Sequence, residues 1–149
     1  MRAISRERIS AAINPFCFLP TSVKDNLQFE ALSEEQKQRC CALASEMGIA
    51  DCLNSQSALA LSDGQKKKVQ ILMTLMKDAD LYLLDEPLAH LDVNSKEVVI
   101  AVSLRETSGR ALCVTMHGDE QFWKFFDRVI ALDQLGMSTG FPDVVHAEL

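Results

Sequence analysis

Glycine is scarce in this chain, and its scarcity excludes the loop most often used to hold a triphosphate. Only 6 of the 149 residues are glycine, the first is Gly48, and none is followed by lysine. A phosphate cradle of the form G-x-x-x-x-G-K-S/T needs successive backbone N–H groups to close on the phosphates and a lysine to reach the terminal one. No such cradle lies within these residues. The five cysteines, Cys17, Cys40, Cys41, Cys52 and Cys113, are an odd number without a C-x-x-C pair or clustered histidines. They point to neither a disulfide framework nor a zinc site, and fit reduced thiols in a cytosolic protein. Basic charge is short as well: a net charge of −6 and a pI near 5.0 argue against a dedicated nucleic-acid binder, with Lys66-Lys67-Lys68 the one basic cluster. Long apolar runs are missing too. The stretch from Ile9 to Pro20 is broken by Asn14-Pro15 and is too short to cross a bilayer. The expectation is a cytoplasmic chain that reaches any membrane through a partner.

What is present has the texture of one globular domain. Arg8 to Ile13 is a short apolar stretch ended by Asn14-Pro15, as expected of a strand entering a turn. From Val23 to Leu53 the pattern turns helical. Ser33 with Gln36 three residues on forms a capping box, Cys40, Leu43, Ala44 and Met47 recur at helical spacing, and Gly48 stops the run. Ser62 with Gln65 repeats the cap pattern ahead of an apolar stripe of Val69, Leu72, Met73 and Met76, predicting a helix from about Gln65 to Lys77. Leu81 to Leu84 reads as a buried strand. A helix over Ser95 to about Thr107 closed by Gly109, a strand over Ala111 to Met116, a short helix over Asp119 to Phe126 and a strand over Val129 to Leu132 follow. Strands alternating with helices predict a parallel α/β sheet.

Two elements in this pattern carry phosphate chemistry. Leu61-Ser62-Asp63-Gly64-Gln65 places a hydroxyl, a glycine and an amide at a helix start, where unpaired N–H groups and the macrodipole favour an anion. Leu81-Tyr82-Leu83-Leu84-Asp85-Glu86 ends an apolar strand in two carboxylates, suited to a nucleotide-bound magnesium ion and an attacking water. Each has an ordinary alternative, a simple helix cap and an acidic strand end before Pro87. Together, 23 residues apart from Ser62 to Asp85, they are far more specific than either alone.

The run from Leu61 to Asp92 resembles the signature motif (usually LSGGQ), Walker B motif and D-loop of ATP-binding-cassette (ABC) ATPases, with the same spacing. Asp63 departs from the usual glycine. Pro20-Thr21-Ser22-Val23-Lys24-Asp25-Asn26-Leu27 resembles the segment after the Q-loop in exporter-type cassettes, which puts Asn14 where the family has its Q-loop glutamine. Leu132-Asp133-Gln134-Leu135-Gly136 and Gly140 resemble the closing strands. The resemblance implies the C-terminal two-thirds of a nucleotide-binding domain: a partial P-loop NTPase (RecA-like) parallel sheet with an inserted helical subdomain at about 21–60. Residues 61–149 would carry the signature, Walker B, D-loop, switch histidine and closing strands.

It also implies roles. Asp85 would hold Mg²⁺, and Glu86 would polarise the attacking water. His117, immediately after the strand ending at Met116, would be the switch histidine. Ser62, Gly64, Gln65, Asp92 and Asn14 would contact nucleotide, the signature residues reaching the γ-phosphate held by an opposing subunit. ATP and Mg²⁺ are the implied cofactors. The implied partners are a transmembrane transporter component and a second nucleotide-binding domain, with no nucleic acid. Two functions stay open: an ATPase domain coupled to transport, present as a truncated or split chain, and a non-catalytic partner lending its signature motif to a complete cassette. His90 and His146 are expected to be surface residues.

Overall fold

The computed structural model of the chain describes residues 8–130. Three parallel strands form one sheet in the order β1 (Ile9–Ala12), β2 (Leu81–Asp85) and β3 (Ala111–Thr115). Registers pair Ile9 with Leu81 and Ala12 with Leu84 on one side of β2, and Leu81 with Ala111 and Asp85 with Thr115 on the other. Every parallel crossover therefore leaves and re-enters the sheet with the strands' C-terminal ends aligned. That edge is where an open α/β sheet places its ligands.

Among the described residues four α-helices accompany the sheet: α1 (Val23–Asn26), α2 (Glu34–Glu46), α3 (Asp63–Leu75) and α4 (Val93–Glu106). The starts of α3 and α4 lie two residues ahead of what apolar periodicity predicts, because the caps rather than the stripe fix the first turn. Ser62 caps α3 and Asp92 caps α4. Gly48 ends the α2 region at φ +66, a left-handed conformation that favours glycine. The segment Glu120–Phe125 is a 3-10 helix, where an ordinary short helix is expected from the sequence. Val129 makes an isolated bridge and Ile130 has no regular structure, so the strand expected over Val129 to Leu132 does not form over its first two residues; its remainder lies outside the described residues, as do Leu132 to Gly136, Gly140 and His146.

Helix α3 is the centre of the core. Val69, Ile71, Leu72 and Leu75 are fully buried, Tyr82 and Leu84 on β2 nearly so, and α4 adds Val99, Ile100 and Val102. Each such side chain contributes on the order of 1.5–3 kcal/mol by leaving water. Polar ties fix the register of α3 on β1: Ser10 Oγ donates to the Thr74 carbonyl at 2.9 Å, and Gln70 Nε2 donates to the Ile13 carbonyl at 3.0 Å. The helical segment α2 joins the rest through Arg39 to Glu106 at 2.8 Å and a paired Arg105 to Glu46 contact at 2.7 Å. The chain divides into two compact units between Met116 and His117. Among the described residues, no helix is long and apolar enough to cross a membrane.

Candidate functional site

Strand β2 delivers Asp85 to the C-terminal edge of the sheet, and its neighbours hold the carboxylate from both sides. Thr115 Oγ1, opposite Asp85 in the β3 register, donates to Asp85 Oδ1 at 2.7 Å, and the Asn14 backbone N–H donates to Oδ2 at 3.2 Å. These two bonds, aided by the Lys67 ammonium, hold the Asp85 carboxyl below the ordinary carboxylate range. Asp85 is thus a fixed, ionised oxygen donor that remains partly open to solvent.

Asn14 is tied in through its side chain as well. Its Nδ2 donates to the Asp85 carbonyl at 3.2 Å, while its Oδ1 accepts from Lys67 Nζ at 2.9 Å. An ammonium can only donate and a carbonyl can only accept, so this pair of neighbours sets the orientation of the amide. Lys67 also reaches the Asp85 carbonyl at 3.5 Å. Burial pushes its ammonium below the usual lysine range, against the pull of Asp85 and Glu86.

Glu86 follows with φ +45, a left-handed backbone that few non-glycine residues adopt. Its N–H donates to both the carbonyl and the hydroxyl of Thr115, at 3.2 and 3.0 Å, which carries the β2–β3 ladder one residue beyond the strand. The side chain is exposed beside Asp85. The structure therefore brings Asn14, Asp85 and Glu86 together at one sheet edge, and adds Lys67 and Thr115.

A second cluster forms at the start of α3. Ser62 Oγ accepts from the Gln65 N–H at 3.3 Å, and Gln65 Oε1 accepts from the Ser62 N–H at 3.0 Å, a reciprocal capping box. Asp63 is exposed and lies 3.9 Å from Lys66. Gly64 sits against the backbone of the segment Ala89–Asp92: a Cβ there would stand 3.0 Å from the His90 carbonyl oxygen and 3.5 Å from Leu91 Cδ2. His90 itself has φ +63. The His90 backbone is what meets Gly64. Asp92 caps α4, accepting from the Ser95 N–H at 2.9 Å and hydroxyl at 2.7 Å, and these bonds keep its carboxyl ionised. Among the described residues no hydrogen bond joins Ser62, Gly64 or Gln65 to Asp85 or Glu86. His117 is exposed at the start of the second unit.

The basic run is split by helical phase. Lys66 lies near Asp63, Lys67 is buried at 8% exposure, and Lys68 donates to the Met47 carbonyl at 3.0 Å. Lys67 shares the buried face of Gln70, Ile71 and Thr74, three, four and seven residues on, a spacing visible in the sequence. Thr115 has a similar signal: it is the last residue of the strand that pairs with β2.

Comparison with known proteins places the chain in a family. The family described as "ABC transporter" matches residues 1–89. The phosphonates import ATP-binding protein PhnC 2 of Pseudomonas savastanoi pv. phaseolicola is 34% identical over 102 residues, covering 67% of this chain and 36% of that protein. The phosphonates import ATP-binding protein PhnC of Escherichia coli O157:H7 is 32% identical over 108 residues, or 71% and 41%. The chain thus spans less than half the length of these relatives. In fold it is similar to an ATP binding subunit of an ABC transporter, with a TM-score of 0.70 over 84% of this chain and 55% of that one at 20% identity. A bacterial Atm1-family ABC exporter with ATP bound gives the same TM-score and identity over 84% of this chain and 23% of that one. The sequence relatives carry import names, and the likeness to an exporter is one of fold alone. With a family match covering more than half its residues, and an α/β fold of parallel strands like that of P-loop cassette ATPases, the chain belongs to the ABC transporter family.

Proposed function

We propose that this chain supplies the signature, Walker B and D-loop surfaces of an ATP-hydrolysing ABC assembly that drives a membrane transporter. The observation that carries the reading is the Asp85 carboxylate, held ionised between the Thr115 hydroxyl and the Asn14 N–H with Glu86 exposed next to it. The donor set fits magnesium. That ion prefers one or two carboxylates together with nucleotide phosphates and water, and among the described residues no cluster of three or more acidic, histidine or cysteine side chains competes as an all-protein cage. When bound at Asp85, Mg²⁺ would supply charge neutralisation for the β- and γ-phosphates of ATP.

The chain's own residues do the rest. Asp85 orients its carboxylate without rotating, because both oxygens are already engaged. Glu86 accepts a hydrogen bond from the attacking water and takes its proton as the water oxygen bonds to the γ-phosphorus and the bond from that phosphorus to the bridging oxygen breaks, releasing ADP. Ser62, Gly64 and Gln65 present a helix start to a γ-phosphate held by an opposing nucleotide-binding domain. The Ser62 hydroxyl turns from its own cap to do so, at a cost of about 1 kcal/mol. Asp92 holds the D-loop rigid through α4, Asn14 stands at the Q-loop position, and His117, in the second unit, is the candidate switch histidine. The phosphate loop comes from sequence outside these 149 residues. The working protein lies in the cytoplasm, at the membrane through a transmembrane partner.

A second reading rests on the Ser62–Gln65 box, complete as a cap, and on Asp63 beside it: the chain then lends a signature surface without firing at its own Walker B site. One experiment separates the two. In an assembly reconstituted with a complete nucleotide-binding domain, Glu86→Gln lowers ATP turnover by about 10²- to 10⁴-fold and spares ATP-driven association. A rate that does not change shows that the Glu86 site is not the one that hydrolyses.

A further inference from the structure

Lys67 is a charged side chain enclosed by the fold at 8% exposure. Buried charges persist where opposite charge and hydrogen bonds compensate them. The hydrogen-bond partners of its ammonium are the Asn14 side-chain oxygen at 2.9 Å and the Asp85 carbonyl at 3.5 Å, both neutral. The opposite charges that act on it are the carboxylates of Asp85 and Glu86. Neither is within ion-pair distance, so the ammonium meets the pair through the Asp85 backbone carbonyl and takes up no carboxylate oxygen.

We propose that Lys67 is a resident counter-cation of the Asp85–Glu86 pair that weakens divalent-cation binding there. This inference rests on the reading of Asp85 as the metal ligand. An approaching divalent cation meets two negative charges and one fixed positive charge, a net of −1 where the bare pair would present −2. The lysine occupies no coordination position, so its effect acts through space and falls with salt. It makes the site depend on nucleotide phosphates for the remaining negative charge, which favours arrival of metal and nucleotide together over metal alone. Lys67 is in this sense a positioning and specificity residue, acting through Asp85.

The test is titration of the full chain with Mn²⁺, without nucleotide and at low salt, reading free Mn²⁺ by electron paramagnetic resonance. Lys67→Gln and Lys67→Met are two independent ways to remove the charge. Either should tighten Mn²⁺ binding by about fivefold, with the gap closing as salt is raised. Lys67→Arg keeps the charge and should stay within about twofold of the parent, which a purely structural role for the lysine would not require. Asp85→Asn should abolish the site. If Asp85→Asn weakens Mn²⁺ binding while both neutral Lys67 variants leave it unchanged or weaker, the counter-cation proposal fails and the Asp85 assignment stands. If Asp85→Asn has no effect, both fail.

Discussion

Helices α2 and α3 are each 13 residues long and begin with the same chemistry, a serine N-cap and a glutamine three residues into the helix, joined in a reciprocal box. At the level of local structure they are interchangeable. They differ in what surrounds the first turn. The N2 residue of α2 is Glu35, exposed, whereas the N2 residue of α3 is Gly64, pressed against the His90 carbonyl. One turn further on, α3 carries the buried Lys67 under the Asp85 carbonyl, while α2 continues with exposed Gln38. A capping motif therefore says where a helix starts and nothing about whether that start is a site. The second element brought against it decides.

The contrast breaks most visibly at N2. Replacing glycine by alanine in a helix ordinarily gains about 0.5–1 kcal/mol. At Gly64 the added methyl meets a backbone oxygen at 3.0 Å, and that oxygen belongs to a residue already in the left-handed region. Gly64→Ala should therefore lose about 1–2 kcal/mol by urea unfolding, while Glu35→Ala stays within about 0.5 kcal/mol of the parent. A more stable Gly64→Ala chain would show that the contact between the signature turn and the D-loop is loose, and the two helix starts alike.

Much of this was legible in the sequence, and each failure has a physical cause. Helix α2, strand β2 and the carboxylate pair at its end follow from periodicity and position. So does the Ser62–Gln65 box. The burial of Lys67 is not read from composition, since a run of three lysines looks like a solvated face until each is assigned a helical phase. Thr115 carries no motif; its role comes from the register that sets it opposite Asp85. The start of α4 at Val93 is fixed by the Asp92 cap, ahead of any apolar signal. For Lys67 and Thr115 the missing information is a neighbour from a distant part of the chain; for α4 it is a local cap that apolar periodicity does not register.

The two caps supply a finer comparison. Ser33→Ala and Ser62→Ala each remove one half of the same box and should each cost about 1 kcal/mol of stability, equal within error in chemical denaturation of the isolated chain. They should part company only in the reconstituted assembly, where Ser62→Ala weakens ATP-driven association about tenfold and Ser33→Ala leaves it unchanged. Equal behaviour in both assays would reduce Ser62 to a cap.

The smallest effect expected is one of pH, and it sharpens the comparison because it isolates the tertiary contacts at the site. The Asp85 carboxyl is held low chiefly by the Thr115 hydroxyl and then by the Asn14 N–H. A group whose folded-state pKa lies below its unfolded value, about 3.9 for aspartate, binds fewer protons folded than unfolded in that interval, so it adds stability that is complete above the unfolded value and disappears as pH falls through the folded one. Thr115→Val should move the folded value back toward the ordinary range and remove part of that contribution at neutral pH. Its destabilisation should therefore be larger at neutral pH than in acid below the folded value, where Asp85 is protonated in parent and variant alike. Ser33→Ala touches no carboxylate through its cap, since its box partner is Gln36. Its cost should be the same at both pH values. A Thr115→Val penalty that grew in acid would mean that the hydroxyl serves the packing of β3 rather than the charge of Asp85.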